Sequence, residues 1–263
     1  MKYLLKLLIF CICTASFTNC KDNKTIETQK EKWVQLFNGE NLDDWIIKIK
    51  GYPLNENVHN TFRVENGLLK VSYDGYDKFN AAYGHVFYKQ PFSSYKLRLQ
   101  YRFIGKQLSD GEGWATRNSG VMVHSQTPES MNLDQDFPVS VEVQLLGGLK
   151  EGESRPTANL CTPGTHVILN NELLTAHCIS SSSDTFYGDQ WVNLEVTVIK
   201  DSLIMHKVNG TEVLSYSKPV IGGEYNTLLE RKGELLKSGY ISLQSESHPV
   251  EFKNIEILEL DFK

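Results

Sequence analysis

Apolar and polar residues alternate one by one along several segments of the chain, a period of two that is typical of β-strands burying one face. In the segment 95–103, leucine and aromatic residues alternate with lysine, arginine and glutamine, and in 192–198 valine or leucine occupies every second position. No apolar stripe with the 3.6-residue period of an α-helix reaches a comparable length. The sequence therefore predicts a fold made almost entirely of strands.

Two Asn-Gly pairs, at 66–67 and 209–210, mark tight turns between strand-like runs. Both residue types tolerate the positive φ values of a type I′ turn, so each pair predicts a two-residue β-hairpin. At most one or two short helices are expected, near 130–133 or 228–236. Further strands are predicted at 95–104, 120–124, 139–146, 191–200, 239–244 and 250–258.

The number of predicted strands limits the architecture. About a dozen short strands, with no break rich in proline or glycine between them, predict one all-β, two-sheet sandwich of the jelly-roll type. Loops longer than such a fold needs are usually functional or disordered. Connections of that kind are predicted at 105–117, 125–138, 147–190 and 217–238.

The N-terminus has the composition of an export signal. Lys2 and Lys6 precede an apolar run at 7–15, and a short polar stretch then leads to Cys20. We expect residues 1–19 to be a lipoprotein signal peptide, Cys20 to be acylated, 20–32 to be a polar tether and 33–263 to be the folded domain. The protein would then be exported and lipid-anchored in the outer membrane, on the periplasmic or cell-surface side. Ordinary secretion with a free Cys20 is the alternative.

The net charge limits the partners that the protein can bind, and the cysteine content bears on the redox state of the compartment in which it folds. A formal net charge of −5 argues against nucleic acid, because phosphate binding needs a concentrated basic surface. No apolar run reaches the roughly 18 residues of a membrane-spanning helix, so membrane contact is expected only through the lipid. Once the signal peptide is removed and Cys20 is acylated, Cys161 and Cys178 are left as a pair. In an oxidising compartment we expect a disulfide between them; two buried free thiols are the alternative.

The predicted strand 139–146 carries the most informative polar residues. Its valine and leucine residues alternate toward the core, so Ser140, Glu142 and Gln144 project from the opposite face. A carboxylate and an amide on a central strand are costly to bury without partners. They indicate either a concave polar groove or a solvated sheet face, and composition alone does not decide between the two.

A second polar segment runs from Trp114 to His124. If its end is a strand, Asn118 and His124 share one face. Taken singly, His124, like His166 and His177, is more often a hydrogen-bonded structural histidine than a catalyst. The sequence contains no metal-binding H-E-x-x-H, no G-x-S-x-G, no P-loop and no dinucleotide fingerprint.

The residues of the same strand disfavour the two-carboxylate mechanism of ordinary retaining glycosidases. A retaining glycosidase needs two carboxylates about 5–5.5 Å apart, which acids at positions i and i+2 of one strand can supply. Here those positions are Glu142 and Gln144. Glutamine cannot act as the ionised nucleophile.

Several motifs, taken together, are similar to one known family. They are the segments 33–39, 62–69, 95–98, 118–121, 141–144, 208–210, 239–244 and 250–255. In this order they resemble the DUF1080 family, also called the 3-keto-disaccharide hydrolase domain, over about residues 33–260. Two positions depart from the family pattern. His124 stands where arginine is common, and 245–248 stands where the family has Asp-His-Gly after the late Leu-Gln.

The resemblance implies a concanavalin A-like jelly roll with long loops and action on 3-keto-glycosides. In such a substrate the C3 carbonyl acidifies the C2 hydrogen, so a general base can form an enolate that expels the C1 substituent. Water then adds to the unsaturated keto-sugar, and the net result is a hydrolysis that needs no carboxylate nucleophile. The 3-keto group would be made by a separate oxidoreductase, since this sequence has no cofactor fingerprint.

This chemistry gives the residues noted above hypothetical roles. Glu142 or His124 would be the base or a metal ligand, and Arg117 and Gln144 would polarise the keto oxygen. No cofactor is required by the sequence, and one divalent cation in the groove is an open alternative for the same task. The other substrate-binding residues would be Asn118, Trp114, His166 and His177, with Trp114 stacking on the sugar.

Two further functions compete with the enzyme. A non-catalytic carbohydrate-binding module of the same fold is the runner-up, because sandwiches bind sugars through aromatic and amide side chains alone. A purely structural lipoprotein is the third. Convergence of Glu142, Gln144, His124 and Arg117 in one pocket would favour the enzyme, whereas Glu142 on a flat solvated face would favour the module.

Overall fold

The computed structural model describes residues 32–261, and the structural statements below concern this part of the chain. The predicted signal peptide, the acylation site Cys20 and the tether up to residue 31 lie outside the described residues. Within 32–261, no helix is long and apolar enough to cross a membrane. Helical structure there is limited to single 3₁₀ turns at Val58–Asn60, Gly113–Ala115, Pro128–Ser130 and Leu229–Arg231.

Strands account for nearly all regular structure in the described range. In chain order they are β1 (Val34–Gln35), β2 (Trp45–Ile49), β3 (Phe62–Glu65), β4 (Leu68–Val71), β5 (Gly84–Tyr88), β6 (Ser94–Phe103), β7 (Asn118–Ser125), β8 (Val141–Leu146), β9 (Asn159–Cys161), β10 (Thr165–Leu169), β11 (Glu172–Leu174), β12 (Cys178–Ile179), β13 (Val192–Ile199), β14 (Leu203–Val208), β15 (Thr211–Ile221), β16 (Tyr240–Ser245) and β17 (Val250–Glu259).

These strands form two antiparallel sheets. The larger has ten strands in the order β11-β10-β15-β14-β13-β6-β17-β4-β3, with β1 also paired to β17. The smaller has seven strands in the order β12-β9-β8-β7-β16-β5-β2. Neighbouring strands run antiparallel throughout both sheets. The predicted all-β, two-sheet architecture is confirmed.

The core lies between the sheets because each sheet turns its alternating apolar row inward. On β6, Leu97, Leu99 and Tyr101 are buried, and on β8 Val141 and Val143 are buried as well. Burying a side chain of this size contributes roughly 1.5–3 kcal/mol. The other face of β8 is therefore available for a functional site.

Both predicted Asn-Gly hairpins are present. Asn66 and Gly67 have φ values of 52° and 76°, and Asn209 and Gly210 have φ values of 48° and 86°. Two consecutive residues at positive φ are the mark of a type I′ turn. The first turn joins β3 to β4 and the second joins β14 to β15.

Other elements differ from the sequence prediction. The segment 147–190, predicted as one long connection, contains the short strands β9 to β12. The sequence prediction also lacks β2 and β5, because nearly all of their side chains are buried and the alternation of apolar and polar residues is lost. The helices predicted near 130–133 and 228–236 are single 3₁₀ turns.

Cys161 and Cys178 form a disulfide with a Cα–Cα distance of 4.1 Å. They lie opposite each other on β9 and β12, at the edge of the seven-stranded sheet. Between them the chain leaves this sheet, contributes β10 and β11 to the ten-stranded sheet and then returns. The bond therefore closes an excursion that connects the two sheets.

Replacing Cys161 and Cys178 together with alanine is expected to lower the free energy of unfolding by about 3 kcal/mol. The physical reason is that the bond joins residues 17 positions apart and so restricts the loop between them in the unfolded chain. Urea unfolding of the double variant and of the disulfide-bonded protein measures the difference. Coincident unfolding curves would contradict the prediction.

Candidate active site

The seven-stranded sheet presents a row of polar side chains on the face that points away from the core. On β8 this row contains Glu142 and Gln144, and on β7 it contains Asn118. On β16, the register with β7 places Gln244 on the same face, and Glu246 follows two residues later. Glu142, Asn118, Gln244 and Glu246 are all buried. Burying this many polar groups is costly unless they have partners or bind a ligand.

A cavity of about 360 Å³ lies over this row. Glu142, Gln144, Asn118 and Glu246 contribute to its lining, and the disulfide between β9 and β12 borders it on one side. Its volume is within the range of small-molecule binding sites in proteins. The polar face of β8 thus forms the floor of a concave site and is not a flat solvated surface.

Aromatic rings form the wall of the cavity. Trp114 stacks on Tyr83, with ring centroids 6.4 Å apart and an interplanar angle of 14°. Phe137 contacts both Tyr83, at 5.1 Å, and Tyr225, at 5.5 Å, and His177 lies 5.2 Å from Tyr225. These rings come from loops, and they give the cavity apolar surfaces around a polar floor. That combination suits a sugar ring, which has apolar C–H faces and polar edges.

Two buried carboxyl groups, Glu142 and Glu246, line the same cavity. Within the described residues, neither forms an ion pair with a lysine or arginine side chain. Burial raises the pKa of Glu142 to about 8. Burial, and then the charge on Glu142, raises the pKa of Glu246 well above the usual carboxyl range.

The pair therefore releases its two protons in separate steps. Once Glu142 ionises, its charge disfavours ionisation of Glu246, so one carboxylate and one carboxylic acid coexist near pH 8. Two neighbouring carboxyl groups whose pKa values are pushed apart can serve as a base and an acid in one reaction. This cavity has that arrangement.

Gly120 makes room for the Glu142 side chain. Gly120 lies on β7 directly opposite Gln144 of β8. A Cβ atom at this position would lie 2.9 Å from both Cγ and Cδ of Glu142, and closer still to Oε1. The carboxyl group thus lies over the one position in this part of β7 that has no side chain.

Replacing Gly120 with alanine is expected to displace the Glu142 carboxyl group and lower ligand affinity or turnover at least about tenfold, with little change in stability, because the flexible end of Glu142 can move aside. Gly113→Ala is the matched control, since a Cβ there meets no atom within 4 Å. Calorimetric sugar binding and thermal unfolding of both variants measure the effect. An unimpaired Gly120→Ala protein would show that the position of Glu142 does not matter.

Amide groups complete the polar floor. Gln144 Oε1 accepts a hydrogen bond from Asn159 Nδ2 at 3.1 Å, which leaves the Nε2 group of Gln144 free to donate. Within residues 32–261, Asn118 lines the cavity and its Oδ1 atom is buried without a hydrogen-bond partner. Both side-chain amide atoms of Gln244 are also without a partner there; Gln244 shares the sheet face but does not line the cavity. Because unsatisfied buried polar groups are rare and costly, the Asn118 oxygen indicates that the floor binds polar groups of a ligand or water.

A comparison with models of protein families matches residues 32–258 to the 3-keto-alpha-glucoside-1,2-lyase-like domain. The chain belongs to this family. The match spans almost all of the described residues, and it confirms the resemblance identified from the motifs. A comparison with curated proteins gave no match.

The lyase-like domain also resembles solved structures. Two candidate glycosyl hydrolases from Parabacteroides distasonis ATCC 8503 have TM-scores of 0.53 and 0.50 at 19% and 18% identity. They cover 87% and 88% of this chain and 100% and 95% of their own. The exoplasmic/lumenal domain of VIP36, solved with Ca²⁺ and Man3GlcNAc, has a TM-score of 0.50 at 8% identity and covers 89% of this chain and 91% of its own. At these identities the similarity shows the shared jelly-roll fold.

Five of the residues singled out from the sequence meet in the cavity of the lyase-like domain. They are Glu142, Gln144, Asn118, Trp114 and His177. Burial lowers the pKa of His177, so its imidazole is neutral at pH 7. The side chain of Trp114 is 52% exposed and so is open to a ligand.

His124 does not belong to this site, contrary to the sequence prediction. Its φ of 50° and a register shift in the β7–β16 pair mark a β-bulge, which turns the side chain away from the row that contains Asn118. The buried ring bonds through Nε2 to the Lys200 carbonyl oxygen at 2.9 Å. Burial lowers the pKa of His124, which is a structural residue here.

Arg117 and His166 also lie outside the cavity. Arg117 precedes β7 with a φ of 49°, and its guanidinium donates to the Gly188 carbonyl and lies 5.6 Å from the Phe103 ring. It cannot polarise a keto oxygen from that position. His166 lies on β10 in the other sheet and packs against Gly222 and Gly223.

The sequence interpretation did not include Glu246 or the ring residues of the wall other than Trp114 and His177. Glu246 continues the alternation from Ser242 and Gln244, so the period of two could have placed it on the groove face. The loop residues Tyr83 and Tyr225 give no such signal, because only the folded loops bring them to the cavity.

The predicted divalent cation stays a prediction. Among residues 32–261, no group of three or more histidine, cysteine, aspartate or glutamate side chains is arranged to hold a metal ion. The donors that the cavity does offer are the carboxyl groups of Glu142, Glu246 and Asp136, the last of them paired with Lys50, together with the His177 imidazole and the amide oxygens of Asn118 and Gln144.

Proposed function

We propose that the domain cleaves 3-keto-glycosides by removing the C2 proton, expelling the C1 substituent and then adding water. The observation that carries this proposal is the pair Glu142 and Glu246, buried together in an aromatic-walled cavity. The family match supports the substrate class. The sugar would be bound with its C–H faces against the aromatic wall and its keto edge toward the polar floor.

Glu142 is the base in this proposal. Its pKa of about 8 gives a carboxylate that is a much stronger base than an exposed glutamate and is still partly ionised at neutral pH. The carboxylate takes the C2 proton, and the electron pair of the C2–H bond forms the enolate with the C3 carbonyl. The Nε2 group of Gln144, which lines the cavity, would donate to the enolate oxygen and stabilise it.

Glu246 is the acid. Burial, and in addition the charge on Glu142, raises the pKa of Glu246, so Glu246 keeps its proton when the base is ionised. As the enolate reforms the carbonyl, the C1–O bond breaks and the departing oxygen takes the Glu246 proton. The products are an unsaturated keto-sugar and a free alcohol. Addition of water across the double bond then gives the 3-keto-sugar and completes a net hydrolysis.

A carbohydrate-binding module without catalysis is the second candidate. The exposed face of Trp114 and the ring stack that continues through Tyr83 favour it, because stacking of this kind binds unmodified sugars as well. The two candidates differ in the need for a 3-keto group.

Turnover of a defined substrate tests the proposal. The purified domain is incubated with 3-keto-trehalose and with methyl 3-keto-α-glucoside, and release of the C1 substituent is followed with and without EDTA. We expect release from both and none from the unoxidised sugars. Sugar binding without turnover of either ketoglycoside would establish the binding module, and loss of turnover with EDTA would replace the two-carboxyl mechanism by a metal-dependent one.

The cellular setting belongs to the same proposal. A 3-keto-glycoside arises by oxidation of a C3 hydroxyl group, so a separate oxidoreductase has to supply the substrate. An exported lipoprotein, as the N-terminal sequence predicts, would meet that substrate outside the cytoplasm.

A further inference from the structure

A second cavity, of about 420 Å³, lies beside the first. It is bordered by the turn at 50–52, by the 3₁₀ turn containing His59 and by the loop 78–82. Four of its lining residues have ring side chains, namely Tyr52, His59, Tyr76 and Phe79.

One ion pair separates the two cavities. Lys50 lines the second cavity, and its Nζ lies 2.5 Å from Oδ1 of Asp136, which lines the first. Ala82 and Tyr83, adjacent in the chain, line the second and the first cavity respectively. The Lys50 ammonium also lies 6.0 Å from the centre of the Tyr83 ring. A ligand too long for the first cavity would therefore extend past these side chains into the second cavity.

The walls of the second cavity are held in place by hydrogen bonds. Lys48 donates to the carbonyl oxygens of Tyr52 at 3.0 Å and Leu133 at 2.9 Å, which fixes the 50–52 turn to the loop before Asp136. Asp110 accepts hydrogen bonds from the backbone N–H groups of Phe79 and Asn80, at 2.8 and 3.1 Å. A cavity with fixed walls binds a rigid ligand at a lower entropic cost.

Backbone conformations at the same cavity are unusual. His59 and Asn60 have φ values of 50° and 55°, and Asn80 and Ala81 have 48° and 54°. Consecutive non-glycine residues at positive φ are strained and tend to occur at ligand sites. Here two such pairs come together, and residues of both line one cavity.

The ring side chains of the second cavity give it faces on which a planar group can stack. The Tyr76 hydroxyl is hydrogen-bonded to the Thr61 hydroxyl at 2.5 Å, and the Lys50 ammonium is paired with Asp136. These polar groups are therefore occupied within the protein. The remaining charged groups, Lys78 and Asp134, are exposed, whereas Phe79 is buried. His59 is exposed and Tyr52 and Tyr76 are half-buried, so these rings are open to a ligand beside the charged groups, an arrangement that suits a planar phenolic group whose hydroxyls reach polar groups or solvent.

We infer that the second cavity binds an aromatic aglycone, so that the substrate is an aryl glycoside whose sugar occupies the first cavity. This inference rests on the proposed function for the orientation of the substrate. The Lys50 ammonium, between the two cavities, would then lie near the oxygen that leaves C1.

Binding of unoxidised glycosides tests the inference without requiring turnover. Calorimetry is performed with methyl α-glucoside, phenyl α-glucoside and trehalose on the wild-type domain and on the variants Tyr52→Ala, His59→Ala and Trp114→Ala. We expect phenyl α-glucoside to bind about tenfold more tightly than methyl α-glucoside. Tyr52→Ala and His59→Ala should reduce this gain and leave the affinity for methyl α-glucoside unchanged. Trp114→Ala should weaken the binding of all three ligands.

Three results would overturn the inference. The first is that phenyl α-glucoside binds the wild type no more tightly than methyl α-glucoside does. The second is that its higher affinity is undiminished in both Tyr52→Ala and His59→Ala. The third is an equal gain in affinity for trehalose, which would assign the cavity to a second sugar. Circular dichroism confirms that each variant is folded, and the two independent variants guard against a defect in one. The proposed function fails separately, if methyl 3-keto-α-glucoside is not cleaved while the gain for the phenyl ligand persists.

Discussion

Replacing Glu142 with glutamine is expected to reduce the turnover of a 3-keto-glycoside by about 10²–10⁴-fold, the usual contribution of a positioned general base. The amide has the size of the carboxyl group and fits the space above Gly120, but it cannot accept the C2 proton. Sugar affinity should change little, because Gln144 and the aromatic wall are intact. Steady-state kinetics therefore should show a lower kcat at a nearly unchanged KM.

Glu251→Gln is the matched control for this variant. Glu251 is 7% exposed, as is Glu142, but it lies on β17 in the other sheet and pairs with Arg102. Its replacement should leave kcat unchanged. Full activity of Glu142→Gln, or equal losses in both variants, would remove Glu142 from the mechanism.

Ionisation of Glu142 is expected to lower the stability of the wild-type protein by about 2 kcal/mol between pH 6.5 and 8, relative to a variant that lacks the buried carboxyl groups. An unfolded glutamate has a pKa near 4.3 and is already ionised in this range, whereas folded Glu142 keeps its proton until about pH 8. The folded state therefore binds more protons than the unfolded state, and the free energy of unfolding decreases as pH rises, at about 1.4 kcal/mol per pH unit at most. Well above the pKa of folded Glu142, this group causes no further decrease in the free energy of unfolding.

Buried histidines impose the opposite slope, and their window overlaps the lower part of this range. Burial lowers the pKa of His85 to about 3 and that of His206 to about 4, so the unfolded state binds protons that the folded state does not until the pH is about one unit above the unfolded pKa of roughly 6.5. The double variant Glu142→Gln/Glu246→Gln keeps every histidine, so its comparison with the wild type cancels their contribution. The urea-unfolding free energy of the double variant should therefore rise relative to that of the wild type as the pH increases over this range. Parallel slopes for the two proteins would mean that neither carboxyl group has a raised pKa.

The fold could be predicted from the sequence wherever one face of a strand is exposed to solvent and the other is buried. The alternation in β6 and β13 and the two Asn-Gly turns are local signals, and the structure contains each of them. β5 could not be found in this way, because it is buried on both faces and its sequence has no alternation. The short strands β9, β10 and β12 form by pairing with segments distant in the sequence, and β11 forms by pairing with β10.

The site was predictable to the extent that it lies on regular strands. Glu142, Gln144 and Asn118 follow from the period of two, and Glu246 could have been added by the same rule. His124 could not be placed correctly, because a one-residue bulge reverses the face of every residue after it. The raised pKa values depend on burial beneath loops, which a local sequence pattern does not show.

The isotopic fate of the C2 hydrogen tests the central claim most directly. The domain is given an aryl 3-keto-glucoside carrying deuterium at C2, the reaction is run in H₂O, and the released 3-keto-glucose is analysed by mass spectrometry against an enzyme-free control for spontaneous exchange. Elimination followed by hydration removes the original C2 hydrogen, so the product should contain hydrogen from solvent at C2, and the release of the aryl group should be slower than with the undeuterated substrate. Release of the aryl group with full retention of deuterium would mean direct hydrolysis at C1 and would contradict the roles assigned here to Glu142 and Glu246.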